Sequence, residues 1–257
     1  MAELPDLTIF AKILARKYHA QQLKTLTVTE SRKLKISASA LKSALEGSIL
    51  AEVTREGKTL QFHFSGGIVL GLHLMLRGEL VSLEDNVTPK FQILAFHFQN
   101  GAGFAVVDML KQATPTLNPE SSVVPDALSL DEKYFTGRLS KKRVPIKAVL
   151  MDQKVMRGIG NSYADEILYN ASVSPMSAAN AIPPKKVTAI FRSINSVLHK
   201  AIKDIGEAND DELKGELKDF MSVHNPKLKV TTKGEEIKRN KIGGRTTYYT
   251  DSQELYK

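Results

Sequence analysis

The chain has 257 residues, 42% of them hydrophobic, which is enough to bury one large core or two of ordinary size. Its 36 Lys and Arg residues exceed its 28 Asp and Glu residues, and a net charge of +8 favours association with polyanions. The absence of cysteine excludes disulfides and thiolate metal sites, and the lack of a secretory leader or a long apolar run predicts a cytoplasmic protein.

The first half of the chain predicts one helix followed by strands. Residues 6 to about 17 place Leu7, Phe10, Ile13 and Leu14 on one helical face, entered from Pro5. Two predicted hairpins follow, with strands at 60–64 and 68–72 around Gly66-Gly67, and at 91–98 and 104–107 around Asn100-Gly101. An N-terminal β-sandwich or barrel with flanking helices is therefore expected over residues 1–120.

Helical periodicity begins after a segment from 114 to about 125 whose composition predicts an interdomain linker. Apolar residues from Ile146 to Val155 predict one amphipathic helix, and those from Tyr163 to Leu168 predict a second. The glycine-containing turn between them puts Asn161 at the N-cap position, where free backbone N–H groups suit a phosphate oxygen. An ordinary capped turn explains the same spacing, so the motif alone leaves both interpretations open.

The last part of the chain returns to strand-like residues. Segments 235–238 and 245–249 flank Gly243-Gly244, which predicts a third hairpin. The sequence is thereby divided into three predicted parts: residues 1–120, 121–224 and 225–257.

Two stretches carry a resemblance to a known family. The run from Arg157 to Tyr169, RGIGNSYADEILY, and the opening MAE closely resemble the formamidopyrimidine-DNA glycosylase and endonuclease VIII (Fpg/Nei) family, nearly over its full length. The resemblance implies an α+β fold with a β-sandwich, a helix-two-turns-helix domain and a C-terminal β-hairpin finger. It also implies a monomer that binds damaged DNA, excises a base and cleaves the abasic strand through an imine with its N-terminal amine.

The implied catalytic residues are Ala2, Glu3 and Lys58. The family usually has proline where this chain has Ala2, but removal of Met1 would expose an amine at Ala2 as well. An α-amino group has a pKa of about 7.7 to 8.0, so roughly a tenth or more is unprotonated at pH 7. Glu3 matches the glutamate that protonates the opened sugar, and Lys58 matches a hairpin lysine that holds a phosphate and provides a back-up amine.

Further family positions concern DNA binding. Lys147 and Asn161 match a phosphate clamp, and Arg245 matches the finger arginine beside the everted nucleotide. Leu76, Leu110 and Gln112 stand where the family fills the space that the everted base leaves. Because Leu110 and Gln112 replace an arginine and a phenylalanine, weak 8-oxoguanine:cytosine specificity is expected. The expected substrates are oxidised or ring-opened bases and abasic sites, in single-stranded or disrupted DNA.

The finger differs from the zinc-binding form of the family. Val230, Lys233, Thr250 and Gln253 stand in place of its four cysteines, so the resemblance is to zincless fingers and no metal or other cofactor is predicted.

Two other functional classes remain open. One is a catalytically weak or inactive member of the same fold that binds damaged DNA. The other is a ribosomal or topoisomerase-type protein, which would not need Glu3, Lys58 and Arg245 together.

Overall fold

The computed structural model describes residues 1–83, 87–209, 212–213 and 218–257. The helices are α1 (Leu4–Tyr18), α2 (Ala38–Leu45), α3 (Glu132–Leu139), α4 (Ile146–Met151), α5 (Asn161–Asn170) and α6 (Pro184–Ala208). The strands are β1 (Leu23–Val28), β2 (Leu50–Glu56), β3 (Thr59–Phe64), β4 (Ile68–His73), β5 (Glu79–Ser82), β6 (Gln92–Phe98), β7 (Gly103–Val107), β8 (Thr114–Leu117), β9 (Lys238–Ile242) and β10 (Arg245–Tyr249). Within the described ranges, no helix has the length and hydropathy for a membrane crossing.

The chain forms two compact units. The first contains residues 1–121 and 205–216, and the second contains residues 122–204 and 217–257. The predicted parts 121–224 and 225–257 thus fall mostly within one unit, because β10 packs against α5.

The first unit is built on two four-stranded antiparallel sheets, ordered β1-β6-β7-β5 and β2-β3-β4-β8. Phe62 of the second sheet stacks on Phe96 and Phe104 of the first, at ring-centroid distances of 5.8 and 5.6 Å. These buried rings form the centre of a β-sandwich, as the sequence predicted. The β3–β4 and β6–β7 hairpins are likewise confirmed.

Helix α1 covers the predicted helix and extends it at both ends. Its apolar residues are buried, and Tyr18 in its last turn donates a hydrogen bond to the carbonyl of Gly103 at 2.8 Å. The helix also packs on β2. The helix therefore contacts a strand of each sheet.

The predicted linker begins too early, because residues 114–117 form strand β8. This strand pairs with β4 and lies at the edge of its sheet, with Pro115 opposite Leu72. An edge strand tolerates a proline because one side of its backbone needs no partner.

In the second unit, one helix is shorter than predicted and two other predicted elements are present. Helix α4 ends at Met151, so Val155 lies outside it. The Asp152 side chain accepts a hydrogen bond from the backbone of Lys154 at 3.0 Å, which competes with helix continuation. Helix α5 and the β9–β10 hairpin are present as predicted, although β9 begins at Lys238 rather than at 235.

Candidate active site and nucleic-acid interface

The start of α1 fixes Glu3 in a buried position. The backbone N–H of Glu3 donates to Oδ2 of Asp6 at 2.9 Å, and the Glu3 carboxylate accepts from the backbone N–H of Asp6. This capping box places both carboxylates at the positive end of the helix, and both residues are buried. Glu3 is therefore held in one orientation directly after Ala2.

Ala2 lies at a cavity of about 660 Å³ within the first unit. Leu76 and Leu110, which come from two separate loops, line the same cavity. The structure thus brings together three of the residues that the sequence singled out. Gln112 is outside the lining, with its Nε2 directed at the carbonyl of Leu110 at 3.4 Å.

The first of these loops follows β4. Nδ1 of His73 accepts a hydrogen bond from the backbone N–H of Met75 at 2.9 Å, and Gly78 N–H donates to the carbonyl of Leu74 at the same distance. A Cβ on Gly78 would lie 2.2 Å from that carbonyl oxygen, so the tight return of the loop requires glycine. Leu76 at the tip keeps 50% of its surface exposed.

The second loop is organised by Asp108, which sequence reasoning did not select for this role. The buried carboxylate of Asp108 accepts three backbone hydrogen bonds, from Leu110 at 2.8 Å, Gln112 at 2.7 Å and Ala113 at 2.8 Å. Leu110 remains 45% exposed. In both loops, therefore, hydrogen bonds hold the backbone while a large apolar side chain remains exposed to solvent.

Lys58 lies in the turn between β2 and β3 and is mostly buried. Arg55 secures this turn, because its Nη1 donates to the carbonyl of Gly57 at 2.9 Å while its Nε donates to Oγ1 of Thr8 at 3.0 Å. Thr8 in turn donates to the carbonyl of Leu4 at 2.8 Å. A hydrogen-bonded chain thus links the first turn of α1 to the turn that carries Lys58.

His73 lies beside this lysine in the sheet, where Thr59 pairs with it. Burial, followed by the positive charge of Lys58, holds the pKa of His73 below its ordinary value. The neutral ring is consistent with Nδ1 acting as the acceptor for Met75.

In the second unit, Lys147 is fully buried and faces the protein interior. Its Nζ lies 2.7 Å from Oδ1 of Asp165 and donates to Oγ1 of Thr247 at 2.8 Å and to the carbonyl of Thr246 at 3.3 Å. The ammonium group is thus engaged by protein partners, and the direct phosphate contact expected for Lys147 stays a prediction. A buried ammonium group requires a paired charge, and here Asp165 provides it.

Asn161 is the first residue of α5 rather than its N-cap, which is Gly160 in an extended conformation. The Asn161 amide instead donates from Nδ2 to the carbonyl of Thr246 at 3.0 Å. Its Oδ1 has no hydrogen-bond partner among the residues that the structure describes. The side chain therefore connects the helix start to β10 and does not close the helix.

Arg245 is exposed at the beginning of β10. The turn before it contains Gly243 and Gly244 with φ values of 55° and 74°, which side chains other than glycine rarely adopt. The turn therefore has the positive-φ pair typical of a tight hairpin and presents Arg245 at its tip.

The residues at the four finger positions do not fit a zinc ion. Val230 and Lys233 supply neither thiolate nor imidazole, and Thr250 and Gln253 are hydrogen-bonded to each other, with Thr250 N–H donating to Oε1 of Gln253 at 2.9 Å. Nε2 of Gln253 donates to the carbonyl of Val173 at 2.8 Å. Across the described part of the chain, no group of three or more His, Cys, Asp or Glu side chains could hold a metal.

Comparison with known proteins identifies the class. The formamidopyrimidine-DNA glycosylase N-terminal domain matches residues 1–114, and the formamidopyrimidine-DNA glycosylase H2TH domain matches residues 122–211. The chain therefore belongs to the Fpg/Nei family of DNA glycosylases with AP lyase activity.

Individual relatives agree over almost the full chain. The formamidopyrimidine-DNA glycosylase of Pelotomaculum thermopropionicum is 26% identical over 97% of both chains, and that of Desulforamulus reducens is 29% identical over 77% of this chain and 78% of the relative. A complex between Lactococcus lactis Fpg and DNA with an abasic site has a TM-score of 0.89, at 26% identity over 97% of this chain and 98% of that chain.

Proposed function

We propose that this protein excises damaged bases and cleaves DNA at the resulting abasic site, with the amine of Ala2 as nucleophile. The observation that carries the proposal is the cavity in which Ala2 lies with Leu76 and Leu110, directly before the buried Glu3. The names of the relatives and the abasic-site DNA bound to Lactococcus lactis Fpg support damaged DNA as the partner.

The reaction needs an unprotonated amine after removal of Met1. Its nitrogen attacks C1′ of the damaged nucleotide, the bond to the base breaks, and an imine forms as the sugar ring opens. Loss of a proton from C2′ then breaks the C3′–O bond with the phosphate as leaving group. Hydrolysis of the imine returns the free amine. The ordinary pKa of an α-amino group leaves a usable fraction of free base at neutral pH, unlike that of a lysine.

Glu3 is proposed to protonate the opened sugar oxygen and to carry protons during elimination. The capping box with Asp6 supports this role, because it fixes the carboxyl next to the nucleophile before substrate arrives. Lys58 is proposed to hold the phosphate beside the lesion and to act as a back-up amine.

Contacts to the remaining DNA are proposed for Asn161 and Arg245, which would bind phosphates. Leu76 and Leu110 would fill the space left by the everted nucleotide, with Gln112 at the base of the second loop. The exposed apolar tips of both loops support this assignment. One copy of the chain holds all these residues, which supports a monomer as the acting form.

The proposed substrates are oxidised or ring-opened bases and abasic sites in single-stranded or disrupted DNA. Leu110 supports this choice, because an apolar side chain cannot donate hydrogen bonds to an unpaired cytosine. Single-turnover rates on single-stranded lesions are expected to exceed those on duplex 8-oxoguanine:cytosine. Faster cleavage of that duplex would overturn the substrate proposal.

The nucleophile is tested with Ala2→Ser and Ala2→Leu, after intact mass has established whether Met1 is present. Serine is small enough for Met1 removal, whereas leucine retains Met1 and moves the amine by one residue. Ala2→Ser should cleave an abasic oligonucleotide within about tenfold of wild type, while Ala2→Leu should lose 100-fold or more, on the order of what misplacement of a reacting group costs. Equal activity of both variants would contradict the role of the Ala2 amine. Tight binding with no cleavage by the wild-type protein would favour a DNA-binding relative.

A further inference from the structure

Asp165 is a fully buried carboxylate at which four parts of the second unit meet. Its Oδ1 lies 2.7 Å from Nζ of Lys147 on α4. Its Oδ2 lies 2.7 Å from Nδ1 of His224 and accepts the backbone N–H of Tyr248 on β10 at 2.9 Å. One side chain of α5 therefore contacts α4, the segment before the finger, and the finger itself.

A buried carboxylate requires partners that replace its hydration, and each partner here belongs to a different element. Asp165 is separated from its partner Tyr248 by 83 positions in sequence, so no local interaction explains the arrangement. The network fixes how the hairpin lies on the helices. Breaking the ion pair on one side would leave an uncompensated charge.

The contacts of this network meet at the three residues that follow Arg245. The carbonyl of Thr246 accepts hydrogen bonds from Lys147 and Asn161, and the hydroxyl of Thr247 accepts one from Lys147. The backbone N–H of the next residue, Tyr248, donates to Asp165. The beginning of β10 is thus held at three successive residues, while the Arg245 side chain stays exposed.

We propose that Asp165 is a positioning residue for DNA binding, which holds Lys147 and β10 so that Arg245 meets a phosphate in one orientation. The inference rests on the proposed function of Arg245 and adds a positioning role for Asp165 and Lys147. Lys147 connects Asp165 to the hairpin, because its ammonium group contacts both the carboxylate of Asp165 and the carbonyl of Thr246. Pre-ordering the hairpin reduces the entropy that Arg245 would lose on binding.

The test measures the affinity for duplex DNA with one tetrahydrofuran abasic analogue at salt concentrations between 50 and 200 mM. The salt slope is the steepness with which the logarithm of the binding constant falls with the logarithm of the salt concentration. Asp165→Asn retains the shape of the side chain but removes its charge. Glu166→Gln is the matched control, because buried Glu166 accepts three backbone hydrogen bonds from residues 222–224, while Lys147 and Tyr248 contact Asp165. The melting temperature of each variant reports its loss of stability.

Arg245→Ala defines the reference effect, a loss of about tenfold or more in affinity and a decrease of about one in the salt slope. Asp165→Asn should reproduce both changes, and it should have no further effect in the Arg245→Ala background. Glu166→Gln should lower the melting temperature but retain the wild-type salt slope. This result would separate positioning from a general loss of stability, because a merely structural residue would not share its effect with Arg245.

Thr247→Val provides a second variant in case Asp165→Asn does not fold. It removes the hydroxyl partner of Lys147 and leaves the ion pair intact, so about a threefold loss of affinity is expected, as for one neutral hydrogen bond. That loss should also vanish in the Arg245→Ala background. Additive losses, or a wild-type salt slope in Asp165→Asn, would overturn the inference while the Arg245 effect stands. A wild-type slope in Arg245→Ala would instead show that the proposed DNA contact itself is wrong.

Discussion

The two units of this protein hold their matching lysines in different ways. Lys58 lies on a turn secured by Arg55, in the unit that also holds Ala2 at an open cavity. Lys147 is fully buried and paired with Asp165. Both lysines match family positions with a phosphate role, and the structure shows that each is held by different partners. From this difference we expect a direct role in DNA binding for Lys58 and a positioning role for Lys147.

The largest expected effect concerns the carboxyl next to the nucleophile. Glu3→Gln should lower single-turnover cleavage of an abasic oligonucleotide by about 10²- to 10⁴-fold, the usual range for loss of a general acid or base. The amide retains an oxygen that can accept the hydrogen bond of the capping box. The change should therefore affect cleavage and leave most of the stability intact.

Asp6→Asn is the matched control for that variant, since it changes the other half of the same capping box. The Asn amide also retains an oxygen that can accept the Glu3 N–H, and full loss of a cap would cost only about 1 kcal/mol, so the control should be nearly as stable as the wild type and still cleave. Wild-type cleavage by Glu3→Gln would contradict the catalytic assignment.

The two lysines can be compared directly by the same substitution. Lys147→Met should lower the free energy of unfolding by about 3 to 5 kcal/mol, because it leaves Asp165 buried without its charge partner. Lys58→Met should remain more stable than Lys147→Met, but its salt slope of DNA binding should decrease by about one. Urea unfolding and salt-dependent binding of both variants provide the measurements.

The double variant Lys147→Met/Asp165→Asn tests whether the unpaired charge of Asp165 causes the loss of stability in Lys147→Met. Removing both charges should recover part of the stability that Lys147→Met loses. If Lys147→Met were as stable as the wild type, the buried ion pair would not have the structural role described above.

The smallest expected effect is a pH dependence in the first unit. The pKa of His73 is lowered in the folded protein, so as the pH falls below about 6.5 the unfolded chain takes up the proton first. The stability that His73 contributes is present above that pH and is lost as the pH falls through the lowered folded pKa. One proton gives a slope of at most about 1.4 kcal/mol per pH unit.

Urea unfolding of wild type and His73→Asn between pH 7 and pH 5 tests this effect. The wild type should lose more stability than the variant over this range. His97→Asn, which removes an exposed histidine of the same unit, is the control. Equal pH dependence of wild type and His73→Asn would contradict the burial argument.

Local sequence signals predicted much of the fold. Turn glycines located the β3–β4, β6–β7 and β9–β10 hairpins, and apolar spacing located α1 and α5. The β2–β3 hairpin was not predicted from its turn. Signals failed where a tertiary contact competed with a local preference. Strand β8 was missed because pairing with β4 orders a proline-containing segment, and Asn161 was misplaced because its amide donates to Thr246 instead of capping its helix.

The candidate site was predictable only in part, for the same reason. The family motifs indicated Ala2, Glu3 and Lys58, and the structure adds the residues whose hydrogen bonds hold their segments in place. Arg55 and Asp165 act through partners 47 and 83 residues away, and no periodicity or turn pattern reports such pairs. An apolar helix face does not mark Asp165 either, because Asn161 and Ser162 stand one turn before it.

The central claim is that the amine of Ala2 forms the imine, and covalent trapping tests it most directly. The protein would be incubated with a single-stranded oligonucleotide containing one abasic site in the presence of borohydride, and the adduct located by peptide mass. The account predicts an adduct on the Ala2 amine of a chain without Met1. An adduct confined to Lys58, or no adduct despite tight binding, would contradict it.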